Sequence, residues 1–521
     1  MNQTVEKPSR ASSQYRRNLG KRYVYKNPMR TIIMGTIGSM LMTIGSFGVG
    51  WISDASPLNR EPLIIALRYN VAGIVTCILL LAVGGMMMCR EWLRLSQKLG
   101  VWDGDASQWT WRAIICWTTP QLFAFPLFSR DVFSYFAQGR VMLAGLNPYE
   151  NGVSTINNFF QYGADPLWAQ SPPPYGTLFL WIEEFVVRIA GSNIDLGIIL
   201  FRLIALFGVA LIAYYVPKIA VLHDINHTRA LWLVVTNPLF IAQFVTAAHN
   251  DALMTGIALA GFYYATKNRN YRGGILGATL VTLAVAIKPI ALVLLPFIGL
   301  LWAGEDASWR RIFITWFYVG VISLTELTVM GLLSGFGFGW IGALSTTGGQ
   351  YIWYSPMGFL MVVGSSIVAF FSSSETADFV KDTIGSISKY IGMGSAVAIM
   401  FCKSWPEVVR RAGLSLGLVV VFSPMIQSWY LLWVIPFFAV TGIKNNWELD
   451  FYFITTLFFM IYAVSDQLDV SPYLKDFDTN MGRLLSVIVS FGYACYLVFI
   501  DAATRQILRE RRQPATYLMV V

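Results

Sequence analysis

Charge is the scarcest commodity in this sequence. Only 13% of its 521 residues are charged, against roughly 25% in an ordinary soluble domain. No long polar stretch remains to build a soluble catalytic domain, so an enzyme hung from a single membrane anchor is excluded. Cys77, Cys89, Cys116, Cys402 and Cys495 are odd in number, sit in or beside apolar runs and lack metal-ligand spacing. They read as small buried hydrophobes, and no redox or zinc chemistry follows from them. There is no low-complexity linker and no convincing internal repeat, which weakens the signature of many transporters. The first apolar run, 31–52, starts late and no small-residue cleavage site follows it, so no cleavable signal peptide is expected.

What the chain has instead is apolar bulk. Hydrophobic residues make up 55% of it and mean hydropathy is +0.56. At roughly 20 apolar residues per helix, that supply covers about 10 to 14 spans. The runs are continuous rather than alternating, which excludes a membrane β-barrel. Runs near 31–52, 64–89, 112–129, 195–217, 231–248, 252–267, 273–287, 289–303, 312–334, 356–371, 384–402, 411–424, 426–441, 449–464 and 481–503 are candidate spans. The expected fold is an all-α polytopic bundle of about 13 (12–15) transmembrane helices, with a long outer loop at 130–174 carrying short interfacial helices. The segments 175–190, with Glu183, Glu184 and Arg188, and 335–356 are expected to dip into the bilayer without crossing.

The net charge of +9 is unevenly placed. Lys7, Arg10, Arg16, Arg17, Lys21, Arg22, Lys26 and Arg30 crowd a basic tail at 1–30, and Arg505, Arg509, Arg511 and Arg512 a second at 504–521. Basic clusters flanking spans are held in the cytoplasm, so both termini are expected inside a plasma membrane, around one transmembrane domain at 31–503. A nucleic-acid role for these tails lacks any aromatic-interleaved module to support it.

Ionisable residues at membrane depth are costly and therefore functional candidates. The densest set opens the outer loop, SRDVFSYFAQGRVMLAGLNPYENG, with Arg130, Asp131, Tyr135 and Arg140; the loop closes on DPLWAQSPPPYGTLF, with Asp165 and Tyr175. Asp131 lies two residues past an apolar run; it is placed either as a general base or as the N-cap of a following helix. A second set is AAHND, with His249, Asn250 and Asp251, suited to sugar hydroxyls, to a phosphate, or merely to capping a turn. Lys288 stands alone between apolar runs in AVAIKPIALVLLP, where it either meets an anion or snorkels to an interface. Gln427, Trp429 and Tyr430, in SPMIQSWYLLW, form a sugar platform or an interfacial aromatic belt. The glycine-rich stretch 335–356 lacks phosphate-loop spacing.

In their order, the segments SRDVFSYFAQGR…GLNPYENG, DPLWAQSPPPYG, NPLF…HNDALM, IKP and SP…SWYLLW resemble the glycosyltransferase C superfamily. Within it they are similar to the polyprenyl-phosphomannose-dependent α-1,6-mannopyranosyltransferases of mycobacteria and corynebacteria, which build the mannan backbone of lipomannan and lipoarabinomannan. The match covers roughly residues 129–433; Ser428-Trp429-Tyr430 stands where related sequences often read Pro-Trp-Tyr.

The resemblance implies an inverting transfer of mannose from polyprenyl-phosphate-mannose to a lipomannan-type acceptor at the outer, periplasmic face, with Asp131 as general base. It also implies donor-phosphate binding by Lys288, helped by Arg130, Arg140 or His249. Sugar or acceptor contacts are then expected from Tyr135, Asp165, Tyr175, Asn250, Asp251, Gln427, Trp429 and Tyr430. No tight carboxylate cluster is visible to hold Mg²⁺ or Mn²⁺, so no metal and no cofactor are expected. The rivals are another lipid-phosphate-sugar glycosyltransferase (arabinofuranosyl- or protein O-mannosyltransferase) and a lipid-sugar flippase or transporter.

Overall fold

Proline and glycine decide where the apolar runs become helices and where they break. A computed structural model of the chain describes residues 28–99, 104–346, 351–402, 407–444, 447–466, 468–469 and 477–505. Most of the two basic tails, and the central part of the acidic loop expected at 465–480, lie outside the described residues. Among the described residues there is no strand.

In chain order the main helices are α1 (Met29–Val49), α2 (Val71–Leu99), α3 (Gly104–Gln121), α4 (Asp131–Leu143), α5 (Thr177–Ala190), α6 (Ile194–Leu222) and α7 (His227–Val234). After a bend come α8 (Asp251–Lys267), α9 (Tyr271–Ile287), α10 (Leu295–Ala303), α11 (Trp309–Ser334), α12 (Pro356–Phe371), α13 (Ser374–Met400), α14 (Val408–Val421), α15 (Leu431–Thr441), α16 (Trp447–Asp466) and α17 (Thr479–Cys495).

Among the described residues, six helices are long and apolar enough to cross a membrane: α1, α2, α6, α11, α16, and α17 with its continuation to Ile500. A seventh arises if α7 and Pro238–Thr246, bent by 53°, count as one broken span. Four of the other expected spans are shorter apolar helices, Tyr271–Ile287, Pro289–Ala303, Pro356–Phe371 and Ser428–Thr441, and the breaks at Lys288-Pro289 and Gln427-Ser428 bound three of them. Helix α5, the charged stretch, has 14 residues. At 1.5 Å per residue it is about 21 Å long, short of the roughly 30 Å hydrocarbon core.

Inside the bundle, polar side chains tie one helix to the backbone of another, as a water-poor environment requires. The indoles of Trp92 and Trp232 stack at 5.3 Å, and each donates its N–H to the other's main-chain carbonyl. Trp117 donates to the Ile32 carbonyl, joining α3 to α1. Arg202, on α6, donates to the carbonyls of Leu122 and Thr246 and so fixes the bend after α7 against the end of α3.

Two glycines set the helix spacing at one end of the bundle. A Cβ on Gly208 would lie 2.4 Å from the Ala252 carbonyl carbon, so α6 and the first turn of α8 touch backbone to backbone. A Cβ on Gly176 would lie 2.4 Å from the Ala286 carbonyl oxygen, and the Gly176 N–H donates to Ile287, which docks the start of α5 on the end of α9. These approaches bring 131, 251 and 288, far apart in the chain, close together in space.

Candidate active site

Asp131 enters from the loop that closes α3. Phe128 there has φ 72°, a left-handed conformation costly for an aromatic residue, and Ser129 Oγ accepts the Asp131 N–H at 3.0 Å. Ser129 thus performs the capping that the sequence offered to Asp131. The Asp131 side chain makes no cap hydrogen bond in the first turn of α4, and it is about a quarter exposed.

The second arm is the bend. Residues Ile241–Thr246 form a π-helical turn, and Ala248 is held at φ 57°. Such turns concentrate at functional sites because the extra residue re-aims the chain beyond it. Here it delivers His249, fully buried, with Nδ1 2.8 Å from the Gln243 carbonyl and the ring stacked on Trp429 at 4.0 Å. A carbonyl only accepts, so Nδ1 carries the proton and Nε2 presents a lone pair. That Nε2 lies 3.6 Å from Asp131 Oδ2. His249 sits in the turn between helices, where burial lowers its pKa below 6.5 against the pull of Asp131 and Asp251.

The third arm is an ion pair. Lys288, extended where Pro289 ends α9, places Nζ 2.7 Å from Asp251 Oδ1 in the first turn of α8. The Trp433 indole donates to the same oxygen at 2.6 Å. Aromatic faces surround the ammonium: Trp433 at 5.3 Å, Tyr175 at 5.8 Å and Tyr430 at 6.0 Å from their centroids. Tyr430 stacks on Trp433 at 4.2 Å, and Tyr135 packs edge-on against Tyr175 at 5.4 Å. Burial pushes the hydroxyls of Tyr175 and Tyr135 well above their usual range, with Asp131 and Asp251 adding to the effect.

Buried polar atoms are nearly always paired within a fold. Yet Tyr135 Oη, His249 Nε2, both amide atoms of Asn250, Asp251 Oδ2 and Trp429 Nε1 are buried without a hydrogen bond inside the chain. Such a concentration suits a polyhydroxylated ligand. Among the described residues no three His, Cys, Asp or Glu side chains converge as metal ligands would.

Other sequence candidates are placed elsewhere. Arg140 is nine residues beyond Asp131 on α4, and at about 100° per residue it emerges on the opposite side. Its guanidinium lies over Tyr162 at 4.1 Å and lines a separate open cleft of about 380 Å³ with Leu143, Val187 and Ser192. Arg130 adjoins Asp131 but donates to the carbonyls of Gly163 and Ala164 and covers Trp51, so it clamps the loop between α4 and α5. Asp165 caps the turn at Pro166–Trp168 by accepting the Leu167 N–H. Gln427 contributes its carbonyl, which accepts the Tyr430 N–H and sets the turn carrying Trp429. Sequence reasoning missed Trp433 and the Gln243 carbonyl. Trp433 had a signal: it stands four residues after Trp429, on the same helical face.

Known proteins resemble the chain along most of its length. A family model described as alpha-(1->6)-mannopyranosyltransferase, N-terminal domain, matches residues 32–304, and one described as MptB C-terminal domain matches residues 362–475. The chain is 31% identical over 446 residues, covering 78% of each partner, to a probable alpha-(1->6)-mannopyranosyltransferase of Mycolicibacterium smegmatis. It is 31% identical over 415 residues to alpha-(1->6)-mannopyranosyltransferase A of Mycobacterium tuberculosis, covering 77% of this chain and 78% of that protein. With alpha-(1->6)-mannopyranosyltransferase A of Corynebacterium glutamicum it shares 26% identity, over 75% of this chain and 84% of that protein. No solved structure matches the chain. The cluster draws Asp131, His249, Asp251 and Lys288 from the first matched region, and Trp429, Tyr430 and Trp433 from the second.

Proposed function

The chain belongs to the alpha-(1->6)-mannopyranosyltransferase family, and on that premise we propose that it moves mannose from polyprenyl-phosphate-mannose to the 6-hydroxyl of a lipomannan-type acceptor, with inversion, at the outer face of the membrane. The observation that supports this reading is a cluster in which a partly exposed carboxylate, Asp131, faces the buried His249, and a largely covered cation, Lys288, pairs with Asp251 among aromatic faces.

Asp131 takes the proton of the acceptor 6-hydroxyl as that oxygen attacks C1 of the donor sugar. The bond from C1 to the phosphate oxygen breaks on the opposite face and its electron pair leaves with the phosphate. One displacement converts a β-linked donor into an α-linked product without a covalent intermediate. The leaving group is already an anion, so the protein's work is orientation and charge balance. Lys288 supplies that balance. Its hydrogen bond to Asp251 employs one of three N–H donors, and a phosphate arriving beside it shares the cation with Asp251. Trp429, Tyr430 and Tyr175 offer rings for the sugar faces, and Asn250 its free amide for hydroxyls.

The test is Asp131→Asn in membranes given radiolabelled polyprenyl-phosphate-mannose and a mannan acceptor. Loss of a general base lowers the rate by about 10²–10⁴. Near-wild-type transfer by the folded variant would refute the assignment. Consumption of a lipid-linked arabinose, or movement of the lipid-sugar across liposomes without a new glycosidic bond, would favour the rivals.

A further inference from the structure

We infer that His249 acts through Asp131, as the neutral acceptor into which the protonated base donates during turnover. The inference rests on Asp131 being the base, and it gives the imidazole a task other than gripping the donor phosphate.

The geometry is specific. Nδ1–H is committed to the Gln243 carbonyl, Trp429 pins the ring plane, and no part of the side chain reaches solvent. The imidazole therefore neither rotates nor exchanges its tautomer without losing a buried hydrogen bond. Its remaining atom, Nε2, has no hydrogen bond within the chain and faces Asp131 Oδ2 at 3.6 Å. Two acceptors at that separation are too far apart to bond and repel one another until a proton enters between them. A proton on the carboxylate converts the repulsion into an O–H···N hydrogen bond once the carboxyl closes on the ring by a few tenths of an ångström.

Atoms and electrons balance through the step. The acceptor's O–H bond breaks while its oxygen bonds to C1, and the proton goes to Asp131. The C1–O(phosphate) bond breaks with its electron pair on the phosphate. The new carboxylic O–H donates to His249 Nε2, and the proton returns to water when the product leaves. The role requires a neutral imidazole. The charged groups facing it are Asp131 from α4, Asp251 from α8 and Lys288 from the end of α9. Burial and Lys288 favour the neutral ring, while the two carboxylates oppose them.

The backbone supports the same assignment. A π-helical turn and a left-handed Ala248 are needed to bring the Gln243 carbonyl and the His249 ring to the same point. A residue that merely capped α8 would need neither.

The experiment uses the purified full-length enzyme with a polyprenyl-phosphate-mannose donor, comparing wild type, Asp131→Asn and His249→Gln. The Gln amide donates to the carboxylate instead of accepting from its acid, and so weakens the base. The expected result is an unchanged donor KM, kcat lower by about tenfold or more, and an acid limb of kcat displaced to lower pH. An unchanged kcat and acid limb, or a change confined to donor KM, overturns the inference. A measurement on the wild type avoids dependence on the variant's folding. A curved proton inventory in mixed H₂O and D₂O, reporting more than one proton in motion, supports the paired arrangement, and a linear one overturns it. If Asp131→Asn is active, the base assignment fails first. If it is inactive while His249→Gln behaves as wild type, only the present inference fails.

Discussion

Replacing Lys288 by methionine removes the ammonium, keeps most of the stem's volume and leaves Asp251 buried with no cation beside it. Asp251 is fully buried and Lys288 13% exposed, with 2.7 Å between the charged atoms. At an effective dielectric of 20, unit charges at that distance attract by about 6 kcal/mol, most of which offsets the cost of dehydrating them. Breaking a buried pair from one side costs about 3–5 kcal/mol, because the abandoned charge loses its partner and gains no water. Trp433 still donates to Asp251, which retains part of the compensation. Lys288→Met is therefore expected to melt well below wild type in detergent. The double variant Lys288→Met/Asp251→Asn removes both charges and is expected to recover most of that loss, to within about 1 kcal/mol. Activity should behave differently. If Lys288 balances the leaving phosphate, mannosyl transfer stays about 10²–10³-fold down in both variants, the scale for losing one preorganised electrostatic contact. Melting curves and initial rates on the same preparations separate the two effects. Recovery of transfer together with stability in the double variant would reduce Lys288 to a structural role. A single variant as stable as wild type would refute the picture of a buried, mutually dependent pair.

Arg140→Ala should leave the rate of mannosyl transfer within about twofold of wild type, since its guanidinium faces a cleft on the other side of α4; a hundredfold loss would place it in the donor site after all. Chelation with EDTA should leave transfer unchanged, and activity that vanishes and returns with Mn²⁺ would contradict a purely side-chain charge balance. Stability should fall as pH drops below 6.5, because an unfolded chain then protonates an imidazole that burial keeps neutral in the fold. The unfolded state binds more protons there, so the slope is positive with pH. His249→Gln should lack that share of the slope, readable as the difference between the two melting-temperature profiles.

The class of fold was legible because it depends on summed composition. Continuous apolar runs, scarce charge and punctuating Pro and Gly announce a helical membrane protein whatever the details of packing. Hydropathy registers runs at 273–287 and 426–441 without their depth or tilt, and the breaks at Pro289 and Ser428 leave both helices under 18 residues. The candidate site was legible where a residue's cost at membrane depth exposed it: Asp131, Asp251 and Lys288 are costly there, Lys288 pairs with Asp251, and Asp131 faces the neighbouring His249. Arg140 stands close to Asp131 in the chain, but half a turn of helix separates the sides on which they emerge. Nor does any residue-type pattern encode the Gln243 carbonyl, a backbone atom aimed by a π-helical turn. Trp433 was visible in SWYLLW but indistinguishable from the belt of aromatics around it until the indole N–H was seen on Asp251.

The left-handed Ala248 has a practical consequence. An alanine in that conformation is worse than glycine by about 1–2 kcal/mol of local strain, part of which glycine returns through its greater freedom in the unfolded chain. Selection for thermal tolerance alone would therefore tend to accept glycine at 248. The same exchange would relax the peptide that aims the imidazole at Asp131. Screens for heat resistance and screens for turnover should disagree at this position, and the disagreement would locate the machinery without a ligand ever being bound.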